Sequence, residues 1–490
     1  MMKYSRRILT LLLVLVMVCS LTVTAFAADE TYSITINNSN EGHTYEAYQI
    51  FVGDLAKNAE NDNEEGTKAV LSNVQWGANA NQTGEVSEQV LQAVAASAAE
   101  AVKYVDFTTD PFASASTVTD GKYVIEGLEP GYYLVKDQDD SLNGKNDSYT
   151  EYIIEVVEDS TVNPKSSVPS SEKKVKDAND TDGTVTDWQD SADYDIGDKI
   201  SFKLTGTVAA NYDAYETYYF AFHDVESAGL SFDAASVKVY VDGTLISSGY
   251  NVVTDATDGC TFEVVFEDLK QIEAVKADSV ITVEYQSGLN ENAVLGSQGN
   301  PNVMYLEYSN NPNWEGDGKP DTGKTPEDKV IVFTYKVIVN KVDENKQPLE
   351  GAGFTLYKKN GEGEYVAVGG ELKGDALTTF EWQGLDDGEY KLEETTTPTG
   401  YNTIVPIEFT ITAEHDILSD DPTLTKLEGG DMFTGEVSTG ALTADVENKA
   451  GATLPETGGM GTTSFYVLGG LMAATAAALL VTKKRMASAE

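Results

Sequence analysis

Short runs of alternating apolar and polar residues dominate the chain from the end of its leader to about residue 450. Tyr152–Val157, Val237–Val241 and Val330–Val339 are rich in Val, Ile and Tyr, and Gly, Asn and Asp punctuate the sequence between such runs. A period of two sends successive side chains to opposite faces of a strand, and many short strands separated by turn residues predict β-sandwiches. One segment keeps a helical period instead. Within Ser87–Val105, the residues Val90, Leu91, Val94, Ala98, Ala101 and Val102 form one stripe, with Ser87 placed to cap the N-terminus. The pattern predicts an all-β protein with one helix in its N-terminal part.

Two stretches break the alternation. Asn163–Ser171 is rich in Pro and Ser, and Asn310–Lys329 is rich in Pro, Gly and Asp with little apolar content. Both read as linkers. They divide the chain into units at 28–165, 166–325 and 326–450. The layouts of Gly127–Asp137 and Gly384–Glu394 are alike, which makes a divergent domain duplication plausible.

The two ends read as processing segments. Residues 1–27 combine Lys3, Arg6 and Arg7, the apolar run Ile8–Val18 and the close Ala25-Phe26-Ala27, the layout of a secretory signal peptide cut after Ala27 or Ala28. Within 451–490, Leu454-Pro455-Glu456-Thr457-Gly458 precedes the uncharged run Phe465–Val481 and then Lys483-Lys484-Arg485. Together these resemble the cell-wall sorting signal of Gram-positive surface proteins. The resemblance implies an apolar membrane-spanning tail with its basic end held inside. It also implies a sortase that attacks the Thr457 carbonyl and releases Gly458 onward.

Charge and cysteine content narrow the function classes. The 490 residues carry 80 acidic and 33 basic side chains. Setting aside the three bases of 1–27, and the three bases and one acid of 458–490, leaves 79 acids and 27 bases, a net charge of −52. Such a chain repels a phosphate backbone, which excludes nucleic acid as a partner. A hydrophobic fraction of 41% is enough to build cores. Cys19 falls in the leader, so Cys260 stands alone and no intramolecular disulfide is expected; it opens a strand over Thr261–Phe266 and reads as a buried thiol. No nucleophile elbow, zinc motif or carboxylate pair suggests an enzyme, and no cofactor or metal is expected.

Strand parity singles out three polar residues in the third unit. Lys341 shares a phase with Val337 and Val339, Glu394 with Tyr390 and Leu392, and Asn448 with Leu442, Ala444 and Val446. All three therefore face a core. Burial drives a lysine and a carboxyl group toward their neutral forms. A neutral Lys341 amine is able to attack the Asn448 side-chain carbonyl while a protonated Glu394 hydrogen-bonds that oxygen and shuttles protons. Ammonia leaves and an isopeptide bond remains. Glu393, next to the acid, points outward.

The motifs around these residues resemble a known family. Asn340–Asp343 with Pro348–Leu356 resembles the first two strands of collagen-adhesin B-type (Cna-B) domains. Tyr390–Tyr401 resembles the E-box of Gram-positive pilins, with Thr397 where Ala is usual, and Val446–Lys449 resembles their closing strand. The resemblance implies tandem immunoglobulin-like (Cna-type) sandwiches in an elongated array, with an isopeptide bond between Lys341 and Asn448 catalysed by Glu394.

In the second unit Tyr218, Phe220, Phe222 and Asp224 share a phase, and the stretch resembles the acidic position of an isopeptide-forming fimbrial domain. The lysine implied is Lys173, which shares parity with Val175, with Lys174 as the alternative. Asn302 and Asn310 are both in phase with Met304, Leu306 and Tyr308; Asn302 is preferred because Lys173 lies early in its strand. His223 takes the opposite phase and no metal or catalytic role is assigned to it. In the first unit Asp137 holds the acid position, but the strand Ile34–Asn37 has no lysine, so no internal bond is expected there. Asn61–Glu65 and Asp177–Asp182 read as solvated acidic loops, because the spacing of a calcium-binding loop is missing.

Val162-Asn163-Pro164-Lys165 partly matches the pilin motif. This implies that a pilin-specific sortase joins Thr457 of one subunit to Lys165 of the next. The partners implied are that sortase, identical subunits, minor tip and basal pilins, and peptidoglycan reached through a housekeeping sortase. The reading is thus an exported structural subunit of a wall-anchored Gram-positive pilus. The alternative is a wall-anchored adhesin that binds host ligand as a monomer.

Overall fold

The computed structural model describes residues 31–57, 69–164, 166–314, 319–451 and 462–486. Alternation is borne out as paired sheets with apolar cores between them. In the N-terminal part, Tyr32–Asn37 lies between Lys122–Leu128 and Ser160–Val162, and a second sheet runs in the order Ala69–Trp76, Tyr45–Lys57, Gly131–Asp137, Glu151–Val156. Ile34, Ile36, Tyr123, Tyr133 and Val135 fill the space between them.

The expected single helix is two short ones. Glu88–Ala96 is capped by Ser87, whose hydroxyl accepts from the Val90 amide at 3.3 Å, as the sequence suggested. At Ser97 the backbone turns extended, and its side chain caps a second helix, Ala98–Val102. A serine competes for backbone donors, which favours a cap over a helix interior. The longest described helix lies elsewhere, at Thr462–Met486.

The middle part packs a seven-stranded sheet on a five-stranded one. The first has the order Ser191–Asp193, Asp328–Phe333, Asn300–Ser309, Phe220–Glu226, Phe262–Phe266, Asn251–Val253, with Thr322–Lys324 beside Asn300–Ser309. The second has the order Thr244–Ile246, Leu230–Val241, Val280–Leu289, Lys199–Thr207, Ser170–Val175. Part of the stretch read as a linker is therefore sheet: Thr322–Lys324 and Asp328–Phe333 are both hydrogen-bonded to Asn300–Ser309. Their backbones satisfy the edges of a buried sheet, which low apolar content in the intervening turns concealed.

In the third part Tyr335–Val342 lies between Thr379–Leu385 and Ala441–Glu447, the latter parallel to it. The facing sheet is built on Gly353–Lys359, Gly388–Thr396 and Ile407–His415. At the joint with the middle part the chains nearly touch. Gly384, at φ +73°, would put a Cβ 2.4 Å from Ile196, so only glycine fits.

Among the described residues no helix is long and apolar enough to cross a membrane. The membrane-spanning reading of Phe465–Val481 is thus not supported.

Candidate functional site

In the third part, Tyr335–Val342 and Ala441–Glu447 run parallel with Lys341 opposite Val446, so Asn448 follows just past the lysine. Glu394 reaches across from the facing sheet. Lys341 and Asn448 are fully buried and Glu394 is 4% exposed. Glu394 Oε1 accepts from Asn448 Nδ2 at 2.7 Å, and its Oε2 accepts from the Ile404 amide at 3.0 Å. Lys341 Nζ donates to the Val446 carbonyl at 2.7 Å. Burial lowers the Lys341 pKa to about 8, against the pull of Glu394 and Glu447. The oxygen Oδ1 of Asn448 is buried without a hydrogen-bond partner. Such a group is costly to keep, and it is the atom at which negative charge develops if the amine attacks.

The middle site is assembled differently. Lys173 comes from the edge of the five-stranded sheet, while Asp224 and Asn302 come from neighbouring strands of the other. All three are fully buried. Lys173 Nζ donates to Asp224 Oδ2 and, at 2.8 Å, to the Tyr285 hydroxyl. That hydroxyl donates to Asp224 Oδ2 at 2.9 Å and accepts from Asn302 Nδ2 at 2.9 Å. Desolvation pushes the lysine pKa down and the aspartate pKa up, each opposed by attraction to the other. Lys174 and Asn310 are elsewhere: Lys174 pairs with Asp190, and Asn310 Nδ2 donates to the Leu142 carbonyl at 2.9 Å, where it ties the first part to the second.

Sequence reading missed two members of this group. Tyr285 bridges all three residues, and Glu226 lies 3.4 Å from Asn302 Nδ2. Burial and the nearby Asp224 raise the Glu226 pKa to about 7. Parity gave a signal for both, since Glu226 is in phase with Asp224 and Tyr285 with Val283.

At Asp137, in the first part, the partner is a histidine. His43 Nδ1 lies 2.7 Å from Asp137 Oδ1 and its Nε2 lies 3.0 Å from Asp147 Oδ2. The Thr150 amide and hydroxyl donate to Asp137 Oδ2. Burial opposes protonation of His43, but the two aspartates prevail and lift its pKa to about 9. A pKa raised above the unfolded value near 6.5 stabilises the fold fully below that pH and ceases to do so as pH rises through about 9. The difference amounts to about 3 kcal/mol. The first thermal transition of the mature protein is therefore expected to fall by on the order of 10 °C between pH 6 and pH 9.5. Scanning calorimetry of His43→Gln should show this slope flattened; an equal slope in that variant would rule the ion pair out as its source.

Three expectations need correction or placement. Asp177 is not a solvated loop residue: it packs against Asp193 and His415, and burial followed by Asp193 raises its pKa to about 8. Cys260 is only half-buried and precedes a strand that runs Phe262–Phe266. Lys165, Leu454, Pro455, Glu456, Thr457, Gly458 and the loop Asn61–Glu65 lie outside the described residues.

Comparison with known proteins adds to this geometry. Residues 335–421 match the SpaA family, a prealbumin-like fold domain, and residues 446–488 match the LPXTG cell wall anchor motif. A trypsin-resistant surface T6 protein of Streptococcus pyogenes serotype M6 is 28% identical over 264 residues, 49% of this chain and 44% of that protein. The chain thus spans less than half the length of this relative. The solved T6 backbone pilin of serotype M6 Streptococcus pyogenes, a modular three-domain structure, is 20% identical. It covers 87% of this chain and 100% of its own, with a TM-score of 0.54, which establishes the fold. The full-length major pilin SpaD from Corynebacterium diphtheriae is 18% identical over 87% of this chain and 99% of its own, at a TM-score of 0.49. The chain is an all-β tandem-sandwich protein that carries a Gram-positive cell-wall anchor and is displayed outside the cell.

Proposed function

We propose that this chain is the backbone subunit of a covalently polymerised Gram-positive pilus, built of three units, the second of which runs past residue 325 to include the strand Asp328–Phe333. It is a structural protein whose only chemistry is single-turnover self-cross-linking. The observation that carries the reading is the burial of Lys341, Glu394 and Asn448 together in a domain that precedes a wall anchor.

The chemistry follows from burial. Lys341, with its pKa lowered to about 8, has an appreciable neutral fraction at neutral pH, and its Nζ lone pair attacks Cγ of Asn448. With the amide turned over, a proton brought to the Glu394 carboxyl group bonds Oδ1 as the carbonyl becomes tetrahedral. The carboxyl group then carries a proton from Nζ to the leaving nitrogen. One C–N bond forms, one breaks and ammonia departs. Lys173, Asp224 and Asn302 carry out the same exchange in the middle unit, with Tyr285 orienting the amine and the amide.

Polymerisation needs Lys165 and the Leu454–Gly458 motif, where a pilin-specific sortase joins Thr457 of one subunit to Lys165 of the next. The product is an open head-to-tail assembly, with minor tip and basal pilins and peptidoglycan as its other partners. SDS gels of wall extracts test this reading. Wild type should give a high-mass ladder and Lys165→Ala a single band. A single band in wild type would favour the monomeric adhesin.

A further inference from the structure

We propose that the middle unit holds a zinc site on the outer face of its seven-stranded sheet, ligated by His223 Nδ1, Asp258, Cys260 and Glu263. Strand Phe220–Glu226 turns Asp224 toward the core and His223 the other way, and the cross-strand neighbours of His223 are Glu263 on one side and Tyr305 on the other. The turn Asp258-Gly259-Cys260 folds back over this face, with Gly259 at φ +96° and the Cys260 amide bonded to Asp258 Oδ1 at 3.0 Å. Four different donor atoms therefore converge from two strands and one turn, and all lie within 4.8 Å of one another.

The spacing is that of a tetrahedral ion. Zinc bonds to N, O and S of 2.0–2.3 Å imply edges of about 3.3–3.8 Å between ligand atoms. Here His223 Nδ1 lies 3.6 Å from Cys260 Sγ, 3.4 Å from Glu263 Oε1 and 3.0 Å from Asp258 Oδ2, and Cys260 Sγ lies 3.4 Å from Asp258 Oδ2. Shifts of a few tenths of an ångström regularise the set.

The surroundings of the histidine supply an independent argument. A ligating imidazole usually gives its other N–H to a carboxylate, which sets the tautomer and the ring orientation. His223 Nε2 lies 3.2 Å from Glu307 Oε2. Glu307 is itself held by Lys319 at 2.8 Å and Thr322 at 2.6 Å. Tyr305 stacks on the imidazole at 4.6 Å and donates to Asp258 Oδ2 at 3.1 Å. His223 is 4% exposed, while Asp258 is open to solvent and gives the ion a way in. The donor set, one thiol and one imidazole with two carboxylates, suits zinc better than calcium or magnesium. Binding displaces the thiol proton and leaves the imidazole proton on Nε2. It would fasten the 254–260 turn to the sheet and occupy the half-buried thiol.

The test uses tag-free mature protein, stripped with chelator and titrated with zinc chloride and with cobalt(II). One zinc per chain is expected, with a tetrahedral cobalt spectrum and a thiolate-to-cobalt charge-transfer band. Cys260→Ser should remove that band and weaken zinc at least 100-fold; Glu307→Gln, which keeps every ligand, should weaken it roughly 10-fold. In wild-type protein, zinc should also block alkylation of Cys260 and chelator should restore it, a readout that needs no variant to fold. Zinc uptake equal in wild type and Cys260→Ser, cobalt bound without charge transfer, or alkylation indifferent to zinc would each overturn the site.

Discussion

Mature Glu394→Ala should weigh one ammonia more than wild type, after correction for the substitution, and its third unit should melt on the order of 20 °C lower. The mass follows from the chemistry. Without the carboxyl group no proton reaches the leaving nitrogen, and Lys341 and Asn448 stay unlinked although their strands still pair in parallel. The stability follows from the loop closed by the bond. Tying residue 341 to residue 448 removes chain entropy from the unfolded state worth about 5 kcal/mol on a cross-link model. The bond is an amide, so reductant leaves both effects untouched. Refolding of an unlinked chain adds a kinetic check. Once the pH rises well above the Lys341 pKa of about 8, cross-linking should slow, because the amine is then already neutral while the proton that Glu394 must supply is lost. A wild-type mass with no ammonia missing would remove the cross-link from this unit.

The second large effect is in the middle unit. Asp224→Ala should also add one ammonia mass, and it should destabilise more than the loss of the bond alone. It strands a lysine that is fully buried and whose remaining neighbours include Tyr285 and Glu226. Breaking a buried ion pair on one side typically costs 3–5 kcal/mol. The asparagines are separable in the same assay. Asn302→Ala should lose the bond, and Asn310→Ala should keep it while loosening the contact with Leu142. Peptide mapping of the digest should find Lys173 joined to Asn302. A Lys173–Asn310 peptide would sink the assignment.

Much of this protein is legible as a string. Parity alone put Lys341, Glu394 and Asn448 on core-facing phases, and all three are buried. It did the same for Lys173 and Asp224, because a strand has only two faces and apolar neighbours reveal which one is covered. Parity left Asn302 and Asn310 equivalent. What separates them is position along the strand relative to the facing sheet, a quantity that no local pattern carries. The two-part helix turned on one serine whose capping tendency outweighed a continuous apolar stripe. The strand Thr322–Lys324 within Asn310–Lys329 was hidden for a related reason, since turns rich in Pro, Gly and Asp surround a short strand whose pairing partner lies in Asn300–Ser309.

The sequence by itself therefore determined the fold class, the wall anchor and the burial of Lys341, Glu394, Asn448, Lys173 and Asp224. Those follow from periodicities and motifs contained within a few neighbouring residues. Tertiary structure alone decided which groups meet: Tyr285 between Lys173 and Asn302, His43 between two aspartates, and Cys260 beside His223. Each of these contacts joins different strands or turns across a sheet or between sheets. Its geometry depends on register and on sheet packing, and those are set by the whole core.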